Sequence, residues 1–296
     1  MLDSRPAFCV AVRVLEQLTI LAPGLLGGSV ARAARARSLA RRIVLWSRRP
    51  ETRLQLRAQN FCDAVVDTPE EAVREASLVV LAPPVDKIEA LARQIAPALP
   101  PGALVTDVGS VKGDIARHGH AAMRPDTYFI PAHPMAGSDK NGWEHSTATL
   151  FENRVCFVTP LPESNERAVE TVMAFWQDLG SQVVSISPDK HDEIVAHISH
   201  LPQLLASTLC QFLATKDHAW RNYAGGGLRD TTRIAGSDPT IWKAIIEHNR
   251  DEILRALKAY QEELQAFSSA LANRDYLEVQ ARLERARSYR GGLRVP

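Results

Sequence analysis

The chain has 296 residues, 45% of them hydrophobic and 23% charged, with a formal net charge of +1. That length accommodates two domains, and the neutral balance marks neither a nucleic-acid binder nor a membrane binder. No apolar run approaches the ~20 residues of a membrane span, and Met1 to Val10, with Asp3, Arg5 and Pro6, does not read as a secretory signal.

Val14 to Leu21 reads as a strand running straight into glycine-rich punctuation, and Ser29 to Leu39 as a helix. The arginines from Arg32 to Arg42 read as a solvated helix face. Ile43 to Trp46 is the second strand, Pro50 to Gln59 a helix and Ala64 to Val66 a short strand. Thr68 caps a helix over Pro69 to Ala76, with Glu70 and Glu71 in its first turn. Leu78 to Ala82 reads as a buried strand, Asp86 to Ala98 as a helix, and Ala103 to Val108 as a strand ending in Gly109-Ser110. The alternation loosens through Tyr128 to Ile130, Val155 to Thr159, Glu166 to Leu179 and Gln182 to Ile186. Apolar strands alternating with helices predict an α/β fold, a parallel sheet covered on both faces. From Asp189 onward strand signals vanish, and Ile253, Leu257, Tyr260, Leu264 and Phe267 mark one stripe of an amphipathic helix. The expected domains are therefore 1–187, α/β, and 188–296, all-helical, whose apolar stripe suits homodimer formation.

The first strand meets the helix through Ala22-Pro23-Gly24-Leu25-Leu26-Gly27. The dinucleotide fingerprint G-x-G-x-x-G occupies such a strand–turn–helix junction. Gly24 lets the backbone approach a pyrophosphate, Gly27 permits close helix–strand packing, and the helix N-terminus offers free N–H groups to phosphate. Ala22 stands where the first glycine is usual. A Rossmann-type doubly wound sheet is the expected fold. The second strand ends in Trp46-Ser47-Arg48-Arg49, without the carboxylate that NAD enzymes use for the ribose 2′-hydroxyl. Ser47, Arg48 and Arg49 suit a 2′-phosphate, so NADP is the preferred cofactor, with NAD as the alternative. Cys9, Cys62, Cys156 and Cys210 form no CxxC pair or zinc spacing, and read as reduced thiols of a cytoplasmic protein. His191, His197 and His200 match no common zinc pattern, His197 and His200 sharing one helical face; no metal is expected. His118 and His120 read as surface residues.

Three further segments stand out: Asp107-Val108-Gly109-Ser110-Val111-Lys112 at a strand end, His133-Pro134-Met135-Ala136-Gly137-Ser138 just past a strand, and Gly227-Leu228-Arg229-Asp230-Thr231-Thr232-Arg233-Ile234-Ala235. With Gly24 to Ser29, His191-Asp192-Glu193 and Ile198-Ser199-His200-Leu201-Pro202, their order and spacing resemble the prephenate/arogenate dehydrogenase family of tyrosine biosynthesis. The resemblance implies hydride transfer from C4 of a cyclohexadienol to NAD(P), with loss of the ring carboxylate as CO₂. It implies that His133 assists deprotonation of the C4 hydroxyl, that Ser110 orients hydroxyl and histidine, and that Arg233 binds a substrate carboxylate. It further implies that Ser199 and His200 line the substrate site and that His191 lies at its mouth. Gln203 departs from the histidine often found there, and leaves prephenate and arogenate both open. Arg229 reads as structural, paired with Asp230, with a share in carboxylate binding as the alternative. The chain ends soon after the last helical pattern, so any tyrosine feedback is expected at the active site itself.

Two other readings fit parts of the pattern. A dehydrogenase of the β-hydroxyacid or imine-reductase type shares the architecture but uses a helical lysine rather than the His133 and Arg233 segments. A non-catalytic dinucleotide sensor needs neither base nor carboxylate clamp.

Overall fold

The computed structural model describes residues 14–137 and 140–293, so the stretch from Met1 to Val10, Cys9 and Ser138 lie outside the described residues. The chain divides into two compact units, Met1–Pro188 and Asp189–Pro296.

In the first unit six strands run parallel. They are β1 (Leu15–Leu21), β2 (Ala40–Trp46), β3 (Ala64–Val65), β4 (Leu78–Leu81), β5 (Leu104–Asp107) and β6 (Tyr128–Phe129), in the spatial order β3-β2-β1-β4-β5-β6. The crossovers are α1 (Leu25–Ala36), α2 (Pro50–Arg57), α3 (Pro69–Val73), α4 (Val85–Ile95) and α5 (Gly113–Ala122). Leu18, Thr19, Ile20 and Leu21, like Leu78 to Leu81, are all wholly buried, as central strands covered on both faces require. Thr68 caps α3 as expected, its hydroxyl accepting the Glu71 N–H at 3.2 Å. Order reverses between β1 and β4, and ligands of such sheets sit beyond the carboxyl ends of the strands at that reversal.

A second, smaller sheet was not foreseen in the sequence. It joins β7 (Ala132–Pro134), β8 (Val155–Val158) and β9 (Gln182–Ser185), with β7 antiparallel to β8 and β9 parallel to it. Between β8 and β9 runs α6 (Glu166–Asp178), capped by Asn165, whose side-chain Oδ1 accepts the Ala168 N–H at 3.0 Å. His133 is therefore inside a strand rather than just past one. A three-residue strand ending in proline carries too little alternation to be read locally. Helix α5 also escapes sequence reading, because Gly113, Gly119 and two histidines interrupt its apolar pattern.

The arginine-rich stretch is corrected as well. Arg41 and Arg42 belong to β2, and the others are engaged rather than simply solvated. Arg32 stacks 4.2 Å from the Phe61 ring centroid and donates to Ser146 Oγ, Arg35 pairs with Asp63 and Arg37 with Glu152, both at 2.6 Å.

The second unit is helical throughout its described residues. It comprises α7 (Pro188–Val195), a π-helical turn (Ala196–His200), α8 (Leu201–Ala214), α9 (Gly226–Thr232), α10 (Pro239–His248), α11 (Arg250–Ala272) and α12 (Tyr276–Gly292). Its core gathers Ala196, Leu201, Ile253 and Ala256. The expected stripe on α11 is buried at Ile253 but reaches solvent at Tyr260 and Leu264. No helix among the described residues is long and apolar enough to cross a membrane.

Candidate active site

Across the parallel sheet, register aligns Leu21 with Trp46 and Leu81, and Leu81 with Asp107. The next residue of each strand end is Ala22, Ser47, Ala82 or Val108, so the cofactor turn, Ser47 and Ser110 share one edge of the sheet. Gly24 precedes α1, and a Cβ built there meets nothing within 4 Å, leaving open space over the turn. A Cβ on Gly27 would lie 2.9 Å from Ala82 Cβ and 3.0 Å from Ile20 Cγ2. Glycine there lets α1 seat directly on β1 and β4. With the first-turn N–H groups of Leu25, Leu26 and Gly27 at a helix N-terminus, this edge fits a dinucleotide pyrophosphate. Ala22 adopts φ 61°, the left-handed conformation that glycine would take without a Cβ penalty. The alanine thus keeps the glycine's backbone shape at a conformational cost.

At the end of β2, Ser47 is buried while Arg48 and Arg49 are exposed. Sequence reasoning missed the residue that shapes this corner. Arg53 donates to the carbonyls of Ser47 (2.9 Å) and Arg48 (3.2 Å) and is held by Asp67 at 2.9 Å. Asp67, just past β3, was the available signal. Arg53 is thereby occupied, and the Arg48 and Arg49 side chains are the guanidinium groups exposed at the corner.

The Asp107 to Lys112 segment is a clamp. Asp107 and Lys112 are both 0% exposed and form an ion pair. The Lys112 ammonium also donates to the Ala132 carbonyl at 2.9 Å, while Asp107 accepts the Ala132 N–H at 3.1 Å and the Gly109 N–H at 2.8 Å. Both backbone groups of Ala132 are thus fixed by one buried pair, and His133 is the next residue. A buried pair survives only when its remaining hydrogen bonds are met; here they are spent on the strand that carries the histidine. His133 is 7% exposed and lies opposite Phe157 on β8. Beside the pair, burial holds the Cys156 thiol well above its ordinary pKa, and it stays protonated. Ser110 is half-buried in the loop between β5 and α5.

In the second unit the structure brings His191 and His200 into a buried polar cluster with Asp192 and Asn249, and Gln203 is buried on the following helix. His191 is 0% exposed, its Nδ1 2.8 Å from an Asp192 carboxylate oxygen, so its assignment to a pocket mouth is corrected to a buried site. His200 closes the π-helical turn, where an extra residue per turn rotates side chains away from α-helical spacing. For that reason His197 and His200 do not share a face: His197 is exposed and His200 buried. Burial pushes the His200 pKa down to about 4, with Asp192 raising it and His191 lowering it further. The ring is neutral at physiological pH. Gln203 donates to Ser207 Oγ at 3.3 Å, and its carbonyl oxygen is buried without a partner. Ser199 is half-buried. Arg233 opens the 3-10 turn Arg233–Gly236, is exposed, and has no ion-pair partner among the described residues. Arg229 and Asp230 are exposed and not paired with each other, which removes the expected Arg229–Asp230 bridge. Among the described residues no group of three or more His, Cys, Asp or Glu side chains gathers as a metal site.

Residues 30–185 match the family profile described as prephenate dehydrogenase, nucleotide-binding domain, and residues 187–285 match prephenate dehydrogenase, dimerization domain. The chain is 31% identical to a cyclohexadienyl dehydrogenase of Zymomonas mobilis over 88% of its own length and 90% of that protein. It is 30% identical to a prephenate dehydrogenase of Bacillus subtilis, over 91% of this chain and 74% of the relative. Among solved structures, prephenate dehydrogenase of Aquifex aeolicus in complex with hydroxyphenyl propionate and NAD+ superposes with a TM-score of 0.87 at 27% identity, covering 93% of this chain and 97% of that one. Synechocystis arogenate dehydrogenase superposes at 0.81 and 26% identity, covering 93% and 99%.

Proposed function

The chain belongs to the prephenate dehydrogenase family, and on that premise we propose that it oxidatively decarboxylates prephenate or arogenate with NAD(P), giving 4-hydroxyphenylpyruvate or tyrosine. The observation that carries this reading is the buried Asp107–Lys112 clamp on Ala132, which fixes the strand bearing His133, together with the open space over Gly24 at the sheet edge, which leaves room for a dinucleotide.

The substrate is a cyclohexadienol with a ring carboxylate. A hydride leaves C4 for the nicotinamide, the carboxylate departs as CO₂ and leaves its bonding electron pair in the ring, and the ring aromatises. The hydroxyl proton taken by the base returns to the phenolate oxygen, so no net proton is lost and the reaction runs strongly downhill. The protein's task is positioning and proton handling. Bound nicotinamide supplies the hydride acceptor. His133 accepts the C4 hydroxyl's hydrogen bond and takes its proton, a task suited to neutral imidazole. Ser110 orients hydroxyl and imidazole. On the helical unit, Arg233 offers a planar guanidinium for a substrate carboxylate, and Ser199, His200 and Gln203 serve the rest of the substrate. His191 supports them from within the buried cluster.

Leu25, Leu26, Gly24 and Gly27 hold the pyrophosphate. NADP is the preferred cofactor, because Ser47, Arg48 and Arg49 offer hydroxyl and guanidinium groups and no carboxylate to a 2′-phosphate. The working form is a homodimer through the helical unit, whose apolar side chains Tyr223, Leu277 and Tyr289 are 80%, 82% and 70% exposed and would be covered by a second copy. The unpaired Cys62, Cys156 and Cys210 suit a reducing cytoplasm.

One assay tests the reading: prephenate and arogenate, each with NAD and NADP, following nicotinamide reduction. Turnover of at least one substrate is expected, with a higher kcat/KM for NADP. No turnover of either substrate would overturn the activity, and a clear NAD preference would overturn the cofactor assignment alone.

A further inference from the structure

Asn249 takes no part in the sequence-based reading, yet its side chain sits at the centre of the polar cluster. It is the hinge residue between α10 and α11. Its N–H donates to the Ile245 carbonyl and its carbonyl accepts from Ile253 N–H, both at 3.0 Å, so its backbone is fixed from both sides. The side chain is 4% exposed. Its Nδ2 lies 2.9 Å from the Asp192 carbonyl oxygen and 3.1 Å from His200 Nδ1.

These two contacts decide a proton position. A backbone carbonyl only accepts, so the amide nitrogen, not the amide oxygen, faces Asp192. The second N–H of that nitrogen then points at His200 Nδ1, which has to present its lone pair. The ring proton is left on Nε2. Protonation of Nδ1 would set one N–H against another. The Trp242 ring, edge-on at 5.9 Å between centroids, packs against the same imidazole. The titratable groups acting on the ring are Asp192 and His191, both from α7.

We propose that Asn249 is a positioning residue that holds His200 as the Nε2–H tautomer, making it a neutral hydrogen-bond donor to an acceptor oxygen of the substrate. This rests on the reading that His200 serves the substrate. His200 then neither takes a proton nor supplies positive charge during turnover, which leaves proton transfer to His133 and charge neutralisation to Arg233.

The test uses the full-length protein, ¹⁵N-labelled, with the His200 ring tautomer read from two-bond ¹H–¹⁵N correlations, together with steady-state kinetics on prephenate and arogenate. The wild-type ring is expected as Nε2–H at pH 7. In Asn249→Asp a carboxylate faces Nδ1, so Nδ1 gains a proton and the ring titrates at higher pH. Asn249→Ala, which introduces no charge, serves where the aspartate variant does not fold, and its ring loses the single tautomer. Either variant is expected to raise KM about tenfold with kcat within about twofold, as loss of one binding hydrogen bond predicts. A wild-type ring protonated on Nδ1 overturns the proposal. So does a tautomer change that leaves KM as in wild type. Absence of wild-type turnover would instead overturn the enzymatic reading, and the ring measurement would still decide the Asn249 contact.

Discussion

Replacing Lys112 by Met tests the clamp. The ammonium lies wholly inside the protein, between the Asp107 carboxylate and the Ala132 carbonyl. Methionine fills the same volume but leaves the carboxylate with only the Gly109 and Ala132 N–H groups. Removing one partner of a buried pair costs about 3–5 kcal/mol, which lowers the melting temperature of a unit this size by roughly 10 °C. Asp107→Asn alone also destabilises, because Lys112 is then the uncompensated charge. Combining the two removes both charges, and the asparagine carbonyl still accepts one backbone N–H. The double variant should therefore recover about 2 kcal/mol relative to Lys112→Met, so the same Asp107 substitution changes sign with its background. Urea denaturation of the four proteins, followed by near-UV signals of the first unit, measures this. Equal losses from Asp107→Asn in both backgrounds would refute the clamp. The four proteins also report on function: loosening Ala132 displaces His133, and kcat should fall with stability across the series.

Other expectations follow from single observations. His200 is held neutral down to about pH 4, against an ordinary value of 6.5. The unfolded chain takes up a proton below 6.5 that the folded one refuses, so stability falls as pH drops from 7 to 4, by about 3 kcal/mol from this group. A His200→Asn variant that loses stability as steeply as wild type over that range would contradict it. Ala22→Gly relieves the left-handed alanine, worth about 1–2 kcal/mol, less about 0.4–1 kcal/mol for the freer unfolded glycine. The melting temperature should rise by about 1–4 °C, and a fall would mean that the alanine conformation is not strained. Gly27→Ala forces a methyl against Ala82 and Ile20, at a cost of about 1–3 kcal/mol, and should raise the KM for dinucleotide while an unchanged KM would separate packing from cofactor binding. His133→Asn should lower kcat about 10²-fold or more with little change in KM; a variant that keeps wild-type kcat would remove the histidine from the chemistry.

Local sequence determined most of the first unit. The run Leu78 to Leu81 is apolar without alternation, and Leu18 to Leu21 is apolar but for Thr19, which is how strands buried on both faces read. Thr68 before Pro69 is a cap wherever it stands, because the hydroxyl and the Glu71 N–H are three residues apart. The fingerprint glycines sit at a strand–helix junction and need only neighbouring residues to be recognised. What stayed out of reach depends on partners distant in the chain. Strand β7 exists because Asp107 and Lys112, 25 and 20 residues earlier, hold Ala132, and because β8 pairs with it. His197 and His200 part company through a π-turn, whose extra residue leaves no mark in the spacing of side chains. Asn249 is 49 residues from the histidine whose proton it assigns. The sequence by itself determined which residue types stand at the ends of strands and helices, since capping, periodicity and turn chemistry are settled within a few residues. Only the tertiary structure decided which of the polar groups are buried together, because desolvation and hydrogen-bond pairing depend on what the folded chain brings against each one.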